Sequence, residues 1–215
     1  TIRRQRQMCI RDSFNGDGFD DLIVGSPGDE INGSNGAGMV TIAYGSNSGL
    51  TNPQIFHQNS AGVSGSVSSN ERFGASVTSG DINGDGYDDV VIGVPGEYRC
   101  WSDTGVCGDV GAINILYGSA NGITGTGSEF IHQRTENISG IPNVGEEFGA
   151  SVATGDLDGD GYDDIVVGVP GEYRCWAHIG ICGDDIGAIQ LLYGSENGIR
   201  SCLLYTSPSP RDIGE

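Results

Sequence analysis

Apolar residues in this chain come in short runs, each closed by Gly, Asn or Asp before a helical period can develop. In the middle of the chain Ala75–Gly80, Val90–Val94, Ala112–Tyr117 and Phe130–Gln133 read as strands set between turn residues. No window of useful length repeats at the helical period, so helices are not expected. The pattern itself recurs. Phe73–Pro95 (FGASVTSGDINGDGYDDVVIGVP) and Phe148–Pro170 (FGASVATGDLDGDGYDDIVVGVP) are one unit, and Phe14–Pro27 (FNGDGFDDLIVGSP) is the same unit without its start. Gly36–Thr51, Gly108–Thr124 and Asp185–Arg200 then correspond, and Ile55–Gln58 and Phe130–Gln133 mark a last segment before the next Phe-Gly. Four antiparallel strands per repeat make the blade of a β-propeller, which buries its faces against neighbouring blades. A parallel β-helix needs shorter rungs, and a sandwich does not repeat its sequence.

The ends depart from this pattern. Thr1–Ser13 (TIRRQRQMCIRDS) and Ser201–Glu215 (SCLLYTSPSPRDIGE) read as translated sequencing-library adapter. Met8–Asp12 can be encoded ATG TGT ATA AGA GAC, followed by AG inside the Ser13 codon. The complementary strand of that stretch contains TGT CTC TTA TAC ACA, which encodes Cys-Leu-Leu-Tyr-Thr, the residues at 202–206. Residues 1–13 and 201–215 are therefore expected to make few contacts and to add nothing to the core.

The second and third repeats place Phe-Gly before their first strand, and every repeat has an acidic loop after the first strand and Gly-x-Pro after the second. The last element appears as Gly25-Ser26-Pro27, Gly93-Val94-Pro95 and Gly168-Val169-Pro170. These motifs resemble the FG-GAP repeats of the integrin α-subunit propeller and of bacterial secreted proteins. The resemblance implies an all-β fold, a partial β-propeller of about two and a half to three four-stranded antiparallel blades from a seven-bladed parent. The expected units are 14–72, 73–147 and 148–200, the first truncated at its start and the third at its end.

The acidic loops carry the candidate chemistry. Asp81, Asn83, Asp85 and Asp89 stand at positions 1, 3, 5 and 9 of a nine-residue loop. Gly86 allows the turn that aims the Tyr87 carbonyl inward. Calcium takes six to eight hard oxygens in a flexible shell, and this spacing supplies them from one segment. Asp156, Asp158, Asp160, the Tyr162 carbonyl and Asp164 repeat the set. Asn15, Asp17, the Phe19 carbonyl and Asp21 do so in the first repeat, but Ser13 stands at position 1, so that site is expected to be weakened. The expectation is calcium at two strong sites and one weak one. An EF-hand is excluded, because Ile92 and Val167 stand where its bidentate Glu would be. Asp20, Asp88 and Asp163 alternate away from the position 9 ligand and read as turn or supporting groups.

Composition narrows the partners. The 10 basic residues are all Arg, and with 29 acidic residues the formal net charge is −19. That balance excludes a nucleic-acid partner, which requires basic residues against phosphate. No apolar run reaches the 18 residues of a membrane-spanning helix, so no membrane insertion is expected. Cys100 and Cys107 bracket WSDTGV, and Cys175 and Cys182 bracket WAHIGI, both between strands two and three. Each pair reads as a disulfide closing one hairpin, worth about 2–2.5 kcal/mol. Zinc is disfavoured by the long spacing and by the lack of further ligands, although His178 lies in the second loop. Disulfides place the protein outside the reducing cytosol, in an extracellular or cell-surface location.

Strand alternation puts these hairpins on the face opposite the acidic loops. Trp101, Trp176, Tyr98 and Tyr173 lie there, either packed on their own disulfides or meeting a partner. In integrin-type propellers that face contacts ligand. His57 and His132 are repeat-equivalent and read as structural. No nucleophile elbow, HExxH or phosphate loop is present. Two functions stay open. One is an adhesion or interaction propeller with an extracellular protein or glycan ligand, completed by the remaining blades of its parent. The other is an accessory propeller of a secreted, phospholipase-like hydrolase whose catalytic residues lie elsewhere.

Overall fold

The computed structural model describes residues 8–103, 105–138, 140, 142–176, 181–183 and 187–205. Three four-stranded antiparallel sheets follow one another along the chain. The first contains β1 (Met8–Asp12), β2 (Asp21–Ser26), β3 (Met39–Tyr44) and β4 (Thr51–Phe56). The second runs through β5 (Ser76–Gly80) and β6 (Asp89–Val94), makes a separate hairpin of β7 (Tyr98–Trp101) and β8 (Val106–Asp109), and returns as β9 (Ala112–Leu116) and β10 (Glu129–Ile131). The third repeats this with β11 (Ser151–Gly155), β12 (Asp164–Val169), the hairpin β13 (Arg174–Trp176) and β14 (Ile181–Gly183), then β15 (Ala188–Tyr193) and β16 (Ser201–Tyr205). Each sheet is a meander in sequence order, with the first strands β1, β5 and β11 side by side. This is the blade arrangement the repeats predict.

The end segments correct one expectation. β1 pairs with β2, Ile10 opposite Leu22, and β16 pairs with β15, Leu203 opposite Leu191. A blade lacking a strand of its own leaves a row of unpaired N–H and C=O groups. Cys-Ile and Cys-Leu-Leu-Tyr are strand-forming residues that fill it.

Burial follows the number of neighbouring blades. Every residue of β6 is buried, because blade two is covered on both faces. β2 alternates between buried and half-buried positions, since blade one has a neighbour on one face. Phe14 and Ile82 occupy position 2 of their loops and are fully buried beneath the next blade, whereas the equivalent Leu157 is 57% exposed.

The Phe-Gly and Gly-x-Pro motifs meet across these interfaces. Phe73 and Phe148 are fully buried, and their N–H groups donate to the Ala37 and Val110 carbonyls of the preceding blade. Gly25 faces Gly74, and Gly93 faces Gly149, so closely that a Cβ on Gly25 or Gly93 would fall 2.1 Å from the facing carbonyl oxygen. Only glycine permits this approach.

At the end of the blades opposite the acidic loops, each interface is latched by buried polar groups. Gln58 Nε2 donates to Glu97 Oε2 at 2.7 Å, and Gln133 Nε2 donates to Glu172 Oε2 at 2.7 Å. Burial pushes the Glu97 carboxyl up to about 7, with Glu71 adding to the rise against the Gln58 bond. Burial likewise pushes Glu146 to about 7, aided by Glu172. A carboxyl that binds its proton more tightly when folded favours the fold below its unfolded pKa and loses that contribution as pH rises toward 7. Glu97→Gln keeps the acceptor for Gln58 and removes the charge. It is expected to leave stability near pH 4.5 almost unchanged and to raise it by about 3 kcal/mol at pH 8, read by urea unfolding at both pH values. An equal effect at the two would refute the assignment.

Candidate metal centre

Each acidic loop joins the first two strands of its blade and folds on its own carboxylates. In the second loop Asp81 accepts the Asp85 and Gly86 amides at 3.0 and 2.9 Å, Asn83 Oδ1 accepts the Asp85 amide, and Asp85 Oδ1 accepts that of Tyr87. Gly84 and Gly86, at φ of 71° and 87°, supply the left-handed turns. The third loop copies this. Asp156 accepts the amides of Gly159, Asp160 and Gly161, Asp158 accepts Asp160, and Asp160 accepts Tyr162. In the first loop Asn15 and Asp17 accept the Asp17 and Phe19 amides, and the Ser13 hydroxyl reaches Asn15 Oδ1 at 3.4 Å.

The structure brings some predicted ligands together and gives others a second task. Asp156, Asp158 and Asp160 each offer an oxygen within 4.8 Å of the others. A guanidinium already answers that charge: Arg200 lies 2.8 Å from both Asp158 Oδ2 and Asp160 Oδ2. The donor set, hard carboxylate oxygens held by backbone amides and neutralised by a cation, fits a hard divalent ion.

The position 9 residues are buried and tie the loop to its sheet. Asp89 accepts the Ile82 and Gly118 amides, Asp164 those of Leu157 and Gly194, and Asp21 those of Phe14 and Gly45. Burial, opposed by these amides and reinforced by Asp85 and Asp81, pushes Asp89 up to about 7. Sequence reasoning missed a further role. Asp88 and Asp163 bond the backbone at position 1 of the preceding loop, Ser13 and Asp81 respectively. Their alternation away from the ligand set was legible, but their target lies in another blade.

On the opposite face, Cys100 stands across from Cys107 in the β7–β8 hairpin and is disulfide-bonded to it, with Cα atoms 4.0 Å apart. Cys175 and Cys182 stand in the same register in β13–β14, and their side chains, with that of Trp176, lie outside the described residues. So does His178. The Trp101 ring meets His132 edge-on at 5.6 Å and lies beneath the Arg134 guanidinium, which pairs with Asp103. Tyr98 is 53% exposed and Tyr173 also faces solvent. His132 Nδ1 accepts the Arg134 amide and His57 Nδ1 accepts that of Asn59, matching turns in two blades. Burial, with Arg99 and Arg134 nearby, lowers His132 to about 4 and keeps it neutral.

Stacked four-stranded antiparallel blades, each with an acidic loop at one end, define a β-propeller module. The FG-GAP repeat family matches residues 14–42, 73–113 and 148–192, more than half of the chain. The chain belongs to the FG-GAP repeat family. It is similar to integrin alpha-PS5 of Drosophila melanogaster, 29% identical over 164 residues that make up 75% of this chain and 14% of that protein. It is similar to the phosphatidylinositol-glycan-specific phospholipase D of Dictyostelium discoideum, 30% identical over 194 residues, 86% of this chain and 19% of that enzyme. Integrin alpha-4 of Xenopus laevis is 32% identical over 163 residues, 75% of this chain and 14% of that protein. The chain spans a fifth or less of the curated relatives it matches. Among the described residues no helix is long and apolar enough to cross a membrane.

Proposed function

We propose that this chain is a structural calcium-binding propeller module of a secreted or cell-surface protein that meets an extracellular protein or glycan. The observation that carries the calcium reading is the convergence of the Asp156, Asp158 and Asp160 oxygens beside a single guanidinium. Calcium supplies two positive charges to a segment with five carboxylates in nine residues. The loops at 81–89 and 156–164 bind strongly, each through its four side chains and the Tyr87 or Tyr162 carbonyl. The loop at 13–21 binds weakly, because a Ser13 hydroxyl offers a dipole where a carboxylate offers a charge.

The Cys100–Cys107 disulfide supports an oxidising location, and Cys175–Cys182 forms a second one in the same register. Exposed Tyr98 and Tyr173 support a partner face opposite the calcium loops, shared with Trp101 and Trp176. Exposed Leu157 and Ile189 support covering of blade three by a further blade of the parent protein. Under this reading, residues 1–13 and 201–215 are adapter-encoded, as their complementary codons suggest, and Met8–Asp12 and Ser201–Tyr205 serve as strands by accident of composition. The similarity to phospholipase D supports a second reading, an accessory propeller of a secreted hydrolase with its chemistry outside this chain.

Calorimetric titration of calcium into the chelator-stripped chain is expected to show two comparable sites and one much weaker, and Mg²⁺ should substitute poorly. Absence of binding overturns the calcium reading. Arg200→Gln removes the competing cation and is expected to tighten the loop at 156–164 about 30-fold at low salt, the repulsion of one charge from a divalent ion at about 4 Å in water. An unchanged constant would sink that role.

A further inference from the structure

The acidic loops of adjacent blades are joined by the same contact at both interfaces. Asp163, at position 8 of the third loop, donates its N–H to the Asp81 carbonyl at 2.9 Å and accepts the Asp81 N–H on Oδ2 at 3.0 Å. Asp88, at position 8 of the second loop, donates to the Ser13 carbonyl at 3.3 Å and accepts the Ser13 N–H on Oδ2 at 2.9 Å. Position 1 of each earlier loop is thus clamped on both sides by position 8 of the next. A second contact runs beside the clamp. The Tyr162 ring covers Gly84 so closely that a Cβ there would fall 2.5 Å from it, and Tyr87 covers Gly16 likewise. Room for the clamp is made by glycine as well, since a Cβ on Gly80 would lie 2.4 Å from Asp163 Oδ2.

These residues sit between ligands. Asp163 lies between Tyr162, whose carbonyl is offered to one ion, and Asp164, which anchors the same loop. Its bonding partner Asp81 is position 1 of the other loop, the carboxylate on which that loop folds. We propose that Asp163 is a positioning residue that couples the two calcium loops, so that an ion in the loop at 156–164 raises the affinity of the loop at 81–89, and the reverse. The inference rests on the calcium reading given above. An ion that orders the third loop fixes the backbone at Asp163, and two hydrogen bonds carry that order to Asp81. Coupling between sites is reciprocal: each ion raises the other's affinity by the same factor.

The coupling is measured by titrating the full chain with calcium in the unmodified form, in Asp85→Ala and in Asp160→Ala. The single-site variants give each intrinsic constant, and the unmodified chain gives the constants with both ions present. A coupling factor of about 5 to 10 is expected, at the lower end of measured allosteric couplings. Asp163→Ala is expected to bring it to 1, and Asp163→Asn, which keeps the acceptor oxygen, to restore most of it. Amide hydrogen exchange supplies a readout apart from affinity. Calcium in the third loop alone, set up with Asp85→Ala, should slow exchange at the Asp81 amide, and Asp163→Ala should abolish the slowing. Independent binding in the unmodified chain, or a coupling factor unchanged by Asp163→Ala, overturns the proposal while leaving calcium binding intact. No binding by the unmodified chain overturns both. Should Asp163→Ala fail to fold, the unmodified chain and the two single-site variants still decide whether the loops are coupled.

Discussion

Gly93→Ala is expected to separate blade two from blade three and to destabilise the chain by about 4 kcal/mol or more, a loss confined to a few mechanisms. The new Cβ would lie 2.1 Å from the Gly149 carbonyl oxygen and 2.1 Å from Ser76 Oγ. The serine can rotate. The carbonyl cannot, because it belongs to the Phe-Gly segment whose Phe148 is buried and whose N–H is bonded to Val110. Relief therefore requires the two blades to move apart and open the interface that covers Val91, Ile113 and Phe148. Domain stabilities of 5–15 kcal/mol leave little margin for such a change. Gly168→Ala is the internal control. Gly168 has the same place in blade three, yet a Cβ there would meet only Ser151 of its own sheet, at 2.2 Å to the mobile Oγ. Its expected cost is about 1 kcal/mol or less, since Ala suits a strand better than Gly once Ser151 turns away. Thermal melts and limited proteolysis of the two variants make the comparison. Equal losses would mean that close approach between blades is not why these glycines are there.

That control marks how far sequence reading reached. Strand positions were legible because Gly, Asn and Asp close each apolar run, and the predicted Ala112–Tyr117 is observed as Ala112–Leu116. The repeat gave the blade, and the Cys spacing gave the β7–β8 hairpin with its bond between Cys100 and Cys107. What pairs across blades was not legible. Gly93 and Gly149 are 56 residues apart, and nothing in their local sequence says that they touch. Gln58 and Glu97 form a buried latch from segments that each read as an ordinary turn. Asp163 was seen to point away from its own loop, but its partner, Asp81, is 82 positions earlier. The strand roles of Met8–Asp12 and Ser201–Tyr205 escaped because their composition departs from the repeats, and composition does not say whether a sheet edge will accept a segment.

Removing calcium is expected to lower the melting temperature by on the order of 10 °C. Extracellular calcium modules bind with constants of about 10⁻⁴–10⁻³ M. At roughly 10- to 100-fold excess of ion, each strong site stabilises the fold by about 1.4–2.7 kcal/mol. Two strong sites together give about 3–5 kcal/mol, and each kcal/mol is worth about 2–4 °C in a chain of this size. The sign follows from charge. The third loop holds five carboxylates in nine residues, with only Arg200 within 4 Å of Asp158 and Asp160 among the described residues. Without an ion the folded chain concentrates that repulsion, whereas the unfolded chain disperses it. Loss of one strong site through Asp160→Ala should reproduce about half of the chelator effect and leave the other half sensitive to chelator. Ser13→Asp should add a third step, because a carboxylate there could accept amides of its own loop as Asp81 accepts Asp85 and Gly86. A melting temperature indifferent to chelator would show that these loops fold on their internal hydrogen bonds alone and that the acidic residues serve as turns, whereas one restored equally by Mg²⁺ would overturn the selectivity for calcium.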